Sequence, residues 1–127
     1  MSVSETGHRL PKCLRVRKRG EFLAIRAARM QVRDGVLRVG FGPRGDNGPA
    51  RLGLAVGRRA GNAVARNRIK RVVRAAFRQQ PGLFPDGIDL VVVPSHSGRA
   101  MRYDDVAASL RQLARRVRQR MGANAAR

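Results

Sequence analysis

The chain reads as a single α+β domain, an α-β sandwich in which helices pack on one mixed sheet, with elements in the order α, β, β, α, β, α. Three observations predict this. Apolar residues recur at helical spacing in 62–79 and again in 103–121, they alternate in 35–42, and they run unbroken through Leu90-Val91-Val92-Val93. The length of 127 residues suffices for one modest core.

Residues 1–16 are polar and basic, contain Pro11, and read as a flexible arm. Phe22, Ile25 and Ala28 fall at helical spacing and predict a helix over 18–30. In 35–42, Leu37, Val39 and Phe41 point one way and Val36, Arg38 and Gly40 the other, as in a strand with one buried face. The Pro- and Gly-rich stretch 43–49 is a turn, and 50–57 a second strand, so 36–57 is expected to form a hairpin. After the loop Arg58-Arg59-Ala60-Gly61, Asn62 suits the N-cap of a helix to about residue 79, ended by Pro81-Gly82. The apolar run in 87–94 suggests a central strand buried on both faces. Val106, Leu110, Leu113 and Val117 trace the core side of the last helix, with Asp104 and Asp105 in its first turn, where the helix dipole favours negative charge. Residues 122–127 are expected to be frayed.

Charge narrows the function. Lys and Arg number 28 against 8 Asp and Glu, a formal net charge of +20. A domain so charged repels itself, and a polyanion relieves the repulsion. An anionic membrane competes with nucleic acid as that partner. It would call for an amphipathic helix with large apolar residues on one side, or for lipidation, and neither pattern is present. Cys13 is the only cysteine, which excludes an intramolecular disulfide and a cysteine-based metal site. Without a signal-peptide pattern or a membrane-length apolar run, the expected location is cytoplasmic.

The second predicted helix carries the strongest signal. Ala65, Ile69, Val72, Val73, Ala76 and Phe77 form its apolar stripe. Arg66, Lys70 and Arg74 stand four apart, and Asn67, Arg71, Arg74 and Arg78 follow the neighbouring ridge. Like charges at this spacing cost an isolated helix roughly 0.2–0.5 kcal/mol per pair. No acidic residue lies between Gly61 and Pro81. A bound anion would relieve that repulsion, and Asn62 and Asn67 add amide groups able to read a 2′-hydroxyl or a base edge.

The stretch Leu52-Gly53-Leu54-Ala55-Val56-Gly57-Arg58-Arg59-Ala60-Gly61-Asn62-Ala63-Val64-Ala65-Arg66-Asn67-Arg68-Ile69-Lys70-Arg71-Val72-Val73-Arg74-Ala75-Ala76-Phe77-Arg78 closely resembles the signature of the protein subunit of bacterial ribonuclease P. Arg9-Leu10, Glu21-Phe22 and Asp89-Leu90-Val91-Val92-Val93 extend the resemblance more loosely over most of the chain. The resemblance implies a ribonuclease P protein-like (ribosomal S5 domain 2-like) fold whose βαβ unit crosses over left-handed, against the usual right-handed preference. It implies an endoribonuclease in which the RNA subunit carries the chemistry and the protein, expected 1:1 with that RNA, helps remove the 5′ leader of precursor tRNA. Arg58, Arg59, Asn62, Arg66, Asn67, Arg68, Lys70 and Arg71 would face the catalytic RNA, with Arg74 continuing the surface. Phe22 would line a leader cleft between the first helix and the sheet, together with Val39 or Phe41, although Phe22 equally fits the core. Many relatives carry a second aromatic four residues after this Phe. Here the position is Arg26, which makes the cleft more electrostatic and less of a stacking platform.

An intrinsic active site is not legible. His8 lies in the arm, His96 in a loop, and Asp86, Asp89, Asp104 and Asp105 are scattered. Such a site would need paired carboxylates or a histidine acid–base pair. Mg²⁺ is expected to serve the ribonucleoprotein through its RNA, with no protein ligand set identifiable. The competing readings are a ribosomal-type structural RNA-binding protein and a metal-dependent nuclease that acts alone.

Overall fold

Asp34-Gly35 sets the first turn of the sheet. The Asp34 carboxylate accepts the Val36 N–H at 2.8 Å and the Leu37 N–H at 2.9 Å, and the turn joins β1 (Met30–Arg33) to β2 (Leu37–Pro43). The computed structural model describes residues 30–43, 46–95 and 102–125. They continue through β3 (Arg51–Leu54), a single 3-10 turn (Arg58–Ala60), α1 (Ala63–Arg78), β4 (Ile88–Pro94) and α2 (Tyr103–Ala125). The arm 1–16 and nearly all of the predicted helix 18–30 lie outside the described residues.

The four strands form one mixed sheet in the order β1-β2-β4-β3. β2 pairs antiparallel with both β1 and β4, and β3 pairs parallel with β4. The predicted α+β class holds, and β4 is central as its apolar run implied. The predicted hairpin over 36–57 does not form, because β4 inserts between β2 and β3. The hairpin partner of β2 is β1, whose first residue, Met30, was expected to close a helix. Asp-Gly is a strong hairpin-turn signal, and here it sits at the start of the strand predicted over 35–42 instead of at its end.

Alternation assigns the two faces of the sheet. Leu37, Val39, Phe41, Leu90, Val92 and Leu52 are buried on one side with Val32, and α1 and α2 pack over them. Ile69, Val73 and Ala76 from α1 meet Val106, Leu110, Leu113 and Val117 from α2 in the same core. The apolar stripes predicted for both helices are therefore the buried ones. Fully burying a side chain such as Leu110 contributes about 2 kcal/mol. α2 runs on to Ala125, past the point where its apolar periodicity ends.

Polar contacts tie the layers together. The Ser109 hydroxyl, on the buried side of α2, lies 2.7 Å from Asp34 Oδ2 and joins the helix to the β1–β2 turn. Arg116 donates to the Arg33 carbonyl at 2.6 Å and Arg120 to the Gln31 carbonyl at 3.3 Å. One turn apart on α2, the two guanidiniums cover the outer rim of β1, the edge strand of the sheet. Gly87 has φ +79°, and a Cβ there would collide with the Asp46 carbonyl, so glycine lets the 46–48 loop close against the start of β4. No described helix is long and apolar enough to cross a membrane.

Candidate nucleic-acid interface

α1 is built to start abruptly. Asn62 holds an extended conformation and its side-chain oxygen accepts the Ala65 N–H at 2.9 Å, an N-cap that satisfies one of the orphan donors of the first turn. Its carbonyl takes the first helical hydrogen bond, from Arg66 N–H at 2.9 Å. Gly61, at φ +124°, is the pivot between the 3-10 turn and the helix. A Cβ there would lie 2.9 Å from the Ala65 Cβ, so both conformation and space require glycine. The cap spends the Asn62 oxygen, leaving its NH₂ group for an external acceptor.

Cations follow from this start. Asn67, Arg68 and Arg71 are exposed, and Arg58 and Arg59 stand exposed on the preceding turn. Arg66, Lys70 and Arg74 are half-buried because they flank the apolar stripe. Val64, Asn67, Lys70, Arg71 and Arg74 line one open depression on the outer side of α1. The predicted cationic face is thus a single surface graded from exposed to half-sunk. Arg66 Nε and Arg78 Nε and Nη1 are buried with no partner among the described residues, an arrangement that costs stability unless an anion satisfies the group. Val64 was read as no more than part of the motif. It is 75% exposed and lines the same depression as the cations.

The sheet carries a second polar surface, and the structure corrects which residues form it. Val39 and Phe41, expected to line a leader cleft, are both 0% exposed and belong to the core. The physical reason is the pleat: Leu37, Val39 and Phe41 of β2 face α1 and α2, so the other side of the strand presents the even-numbered Arg38 and Gly40. That opposite face presents Gln31, Arg33 and Arg38 in the open, with Gly40, Val91 and Val93 half-buried between them. At its far end Arg51 grips Asp89 in a bidentate pair, Nε to Oδ1 at 2.8 Å and Nη2 to Oδ2 at 2.7 Å. Phe22 and Arg26, the other expected cleft residues, lie outside the described residues.

A nuclease that acted alone would need a carboxylate such as Asp89 free for a metal. The Asp89 carboxylate is 9% exposed and engaged by Arg51. No group of three or more His, Cys, Asp or Glu among the described residues could hold a metal ion. His96 lies outside them. The described residues do not fit a protein-borne Mg²⁺ site.

The ribonuclease P family model matches residues 10–118. The ribonuclease P protein component of Shouchella clausii is 38% identical over 106 residues, covering 82% of this chain and 85% of that one. That of Desulfovibrio desulfuricans is 40% identical over 111 residues, covering 85% of each. The solved RNase P protein from Thermotoga maritima superposes with a TM-score of 0.70 at 33% identity, over 80% of this chain and 96% of that one. With its capped helix, its cationic outer surface and this likeness over most of its length, the chain belongs to the ribonuclease P protein family.

Proposed function

We propose that the chain is the RNA-binding protein subunit of ribonuclease P and acts through two surfaces. α1 and the turn before it hold the catalytic RNA, and the polar face of the sheet receives the 5′ leader of precursor tRNA. The RNA subunit carries the chemistry. The observation behind this reading is the α1 surface: exposed Asn67, Arg68 and Arg71 with no acidic residue from Gly61 to Pro81. Arginine's planar fork suits phosphate oxygens, and neutralising backbone charge favours a compact ribozyme that retains its Mg²⁺. The metal stays with the RNA, and the stoichiometry is one protein per RNA subunit. Support for the leader surface is its chemistry: two exposed arginines and half-buried valines suit a single strand, with phosphates on the cations and bases over the apolar strip. The family match does not favour the ribosomal alternative.

The test is cleavage of precursor tRNA by the RNA subunit at low Mg²⁺, with and without the protein. Faster cleavage and tighter substrate binding are expected, both weakening as salt rises. Unchanged affinity and rate would sink the proposal.

A further inference from the structure

Apart from these two surfaces, α2 carries a cationic face of its own. Its five arginines, Arg111, Arg115, Arg116, Arg118 and Arg120, are all exposed, and no acidic residue follows Asp105 in the helix. They divide into two rows. Arg116 and Arg120 reach over β1. Arg111, Arg115 and Arg118 stand at i, i+4 and i+7 and so form one stripe. At 1.5 Å rise per residue the stripe spans about 10 Å.

Both ends of the stripe are held in place. Arg111 Nη1 donates to Gln80 Oε1 at 3.2 Å, and the Gln80 amide donates to the Ala76 carbonyl at 3.1 Å, near the end of α1. Arg118 Nη2 donates to the Gly82 carbonyl at 2.9 Å and to the Leu83 carbonyl at 3.0 Å. These acceptors are neutral. They orient the guanidiniums and leave the positive charge whole. None of the three arginines has a carboxylate partner among the described residues. Each guanidinium has five N–H donors, so donors remain for an external anion. Side chains already oriented lose less freedom when that anion binds. Clamping the loop after α1 would account for Arg111 and Arg118. It does not account for Arg115, which stands between them without an acceptor and adds to their repulsion.

The chemistry of the face selects its partner. Beyond Tyr103, α2 has no aromatic side chain, and the uncharged exposed residues near the stripe are Ala108, Gln112 and Gln119. A single strand is held by stacking its bases, and this face has no platform for them. A straight row of cations suits the backbone of a base-paired RNA helix, which proteins contact through phosphates, 2′-hydroxyls and shape. α1 and α2 pack against each other on one side of the sheet, and Gln80 links the end of α1 to Arg111. The α2 face therefore fronts the partner that α1 holds, on the side of the sheet away from the leader.

We propose that Arg111, Arg115 and Arg118 bind the backbone of a base-paired segment of the catalytic RNA, distinct from the segment held by α1. The proposal rests on the reading of α1 as the RNA-subunit surface and extends that footprint onto a second helix.

The test compares the full-length chain with Arg111→Ala/Arg115→Ala. Arg118 stays, because it also holds the loop after α1. Circular dichroism checks the fold. Affinity for the RNA subunit should fall about tenfold, with a log–log salt dependence shallower by about two. Arg111→Lys/Arg115→Lys keeps the charge and should bind within about threefold of wild type, and the neutral Gln112→Ala/Gln119→Ala within about twofold. In hydroxyl-radical footprinting, the arginine-to-alanine variant should lose protection at a base-paired segment that Arg68→Ala/Arg71→Ala leaves protected. Unchanged affinity and salt dependence would overturn the proposal, and so would an equal loss in the glutamine variant. A loss confined to precursor tRNA binding by the reconstituted holoenzyme would assign the face to another RNA and overturn it as well. Wild-type protein that fails to bind the RNA subunit, or binds it unchanged after Arg68→Ala/Arg71→Ala, would instead overturn the reading of α1 itself.

Discussion

The outer surface of α1 and the polar face of the sheet are both cationic, but they are assembled differently. The helix gathers its charges from one continuous stretch, Arg66 to Arg74, so repulsion between neighbours is built in and falls on one element. The sheet gathers Arg33 and Arg38 from β1 and β2 with Val91 and Val93 from β4, segments that only the β1-β2-β4-β3 order brings together. A local array survives as long as the helix does. A non-local one exists only when the whole sheet is in register, so losses of fold should reach the sheet surface before the α1 surface.

The strongest way to break that contrast is at the pair that anchors the sheet face. Asp89→Ala leaves Arg51 half-buried without its carboxylate and should cost about 3 kcal/mol, read as a lower urea midpoint. Leader binding is expected to suffer more than RNA-subunit binding, and the reverse order would contradict the comparison. Next is the local array. Arg68→Ala/Arg71→Ala should weaken binding to the RNA subunit about fiftyfold and make its log–log salt dependence shallower by about two, at unchanged thermal stability. A parallel loss of leader binding would show that the two surfaces are one. Gly61→Ala forces a strained φ and a clash with Ala65, and should cost about 2 kcal/mol, mostly at the start of α1 in hydrogen exchange. The smallest effect is expected from Asn62→Ala, about 1 kcal/mol through the lost cap, with Asn62→Ser largely restoring stability.

How much was legible follows the same division. Both apolar helix stripes and the central strand showed in the sequence, because each is periodic within one segment. The cap at Asn62 and the cationic surface of α1 showed for the same reason. β1 did not, since its four residues are too short for a period and lie against a predicted helix. Pairing β2 with β3 followed chain proximity, whereas the sheet inserts β4 between them. The cleft was assigned to Val39 and Phe41 although their alternation already put them on the apolar side. A one-residue slip on a strand exchanges faces, and Arg38 lies on the open one. Arg33 carried no local signal at all.

The clamp of Arg116 and Arg120 over the rim of β1 takes on a particular weight once RNA is bound. Unbound copies of a chain with net charge +20 hold each other apart by repulsion. A short bound RNA strand balances that charge locally and lowers the barrier. What then keeps one sheet from adding to the next is steric: two arginine side chains already occupy the carbonyls that a neighbouring strand would need.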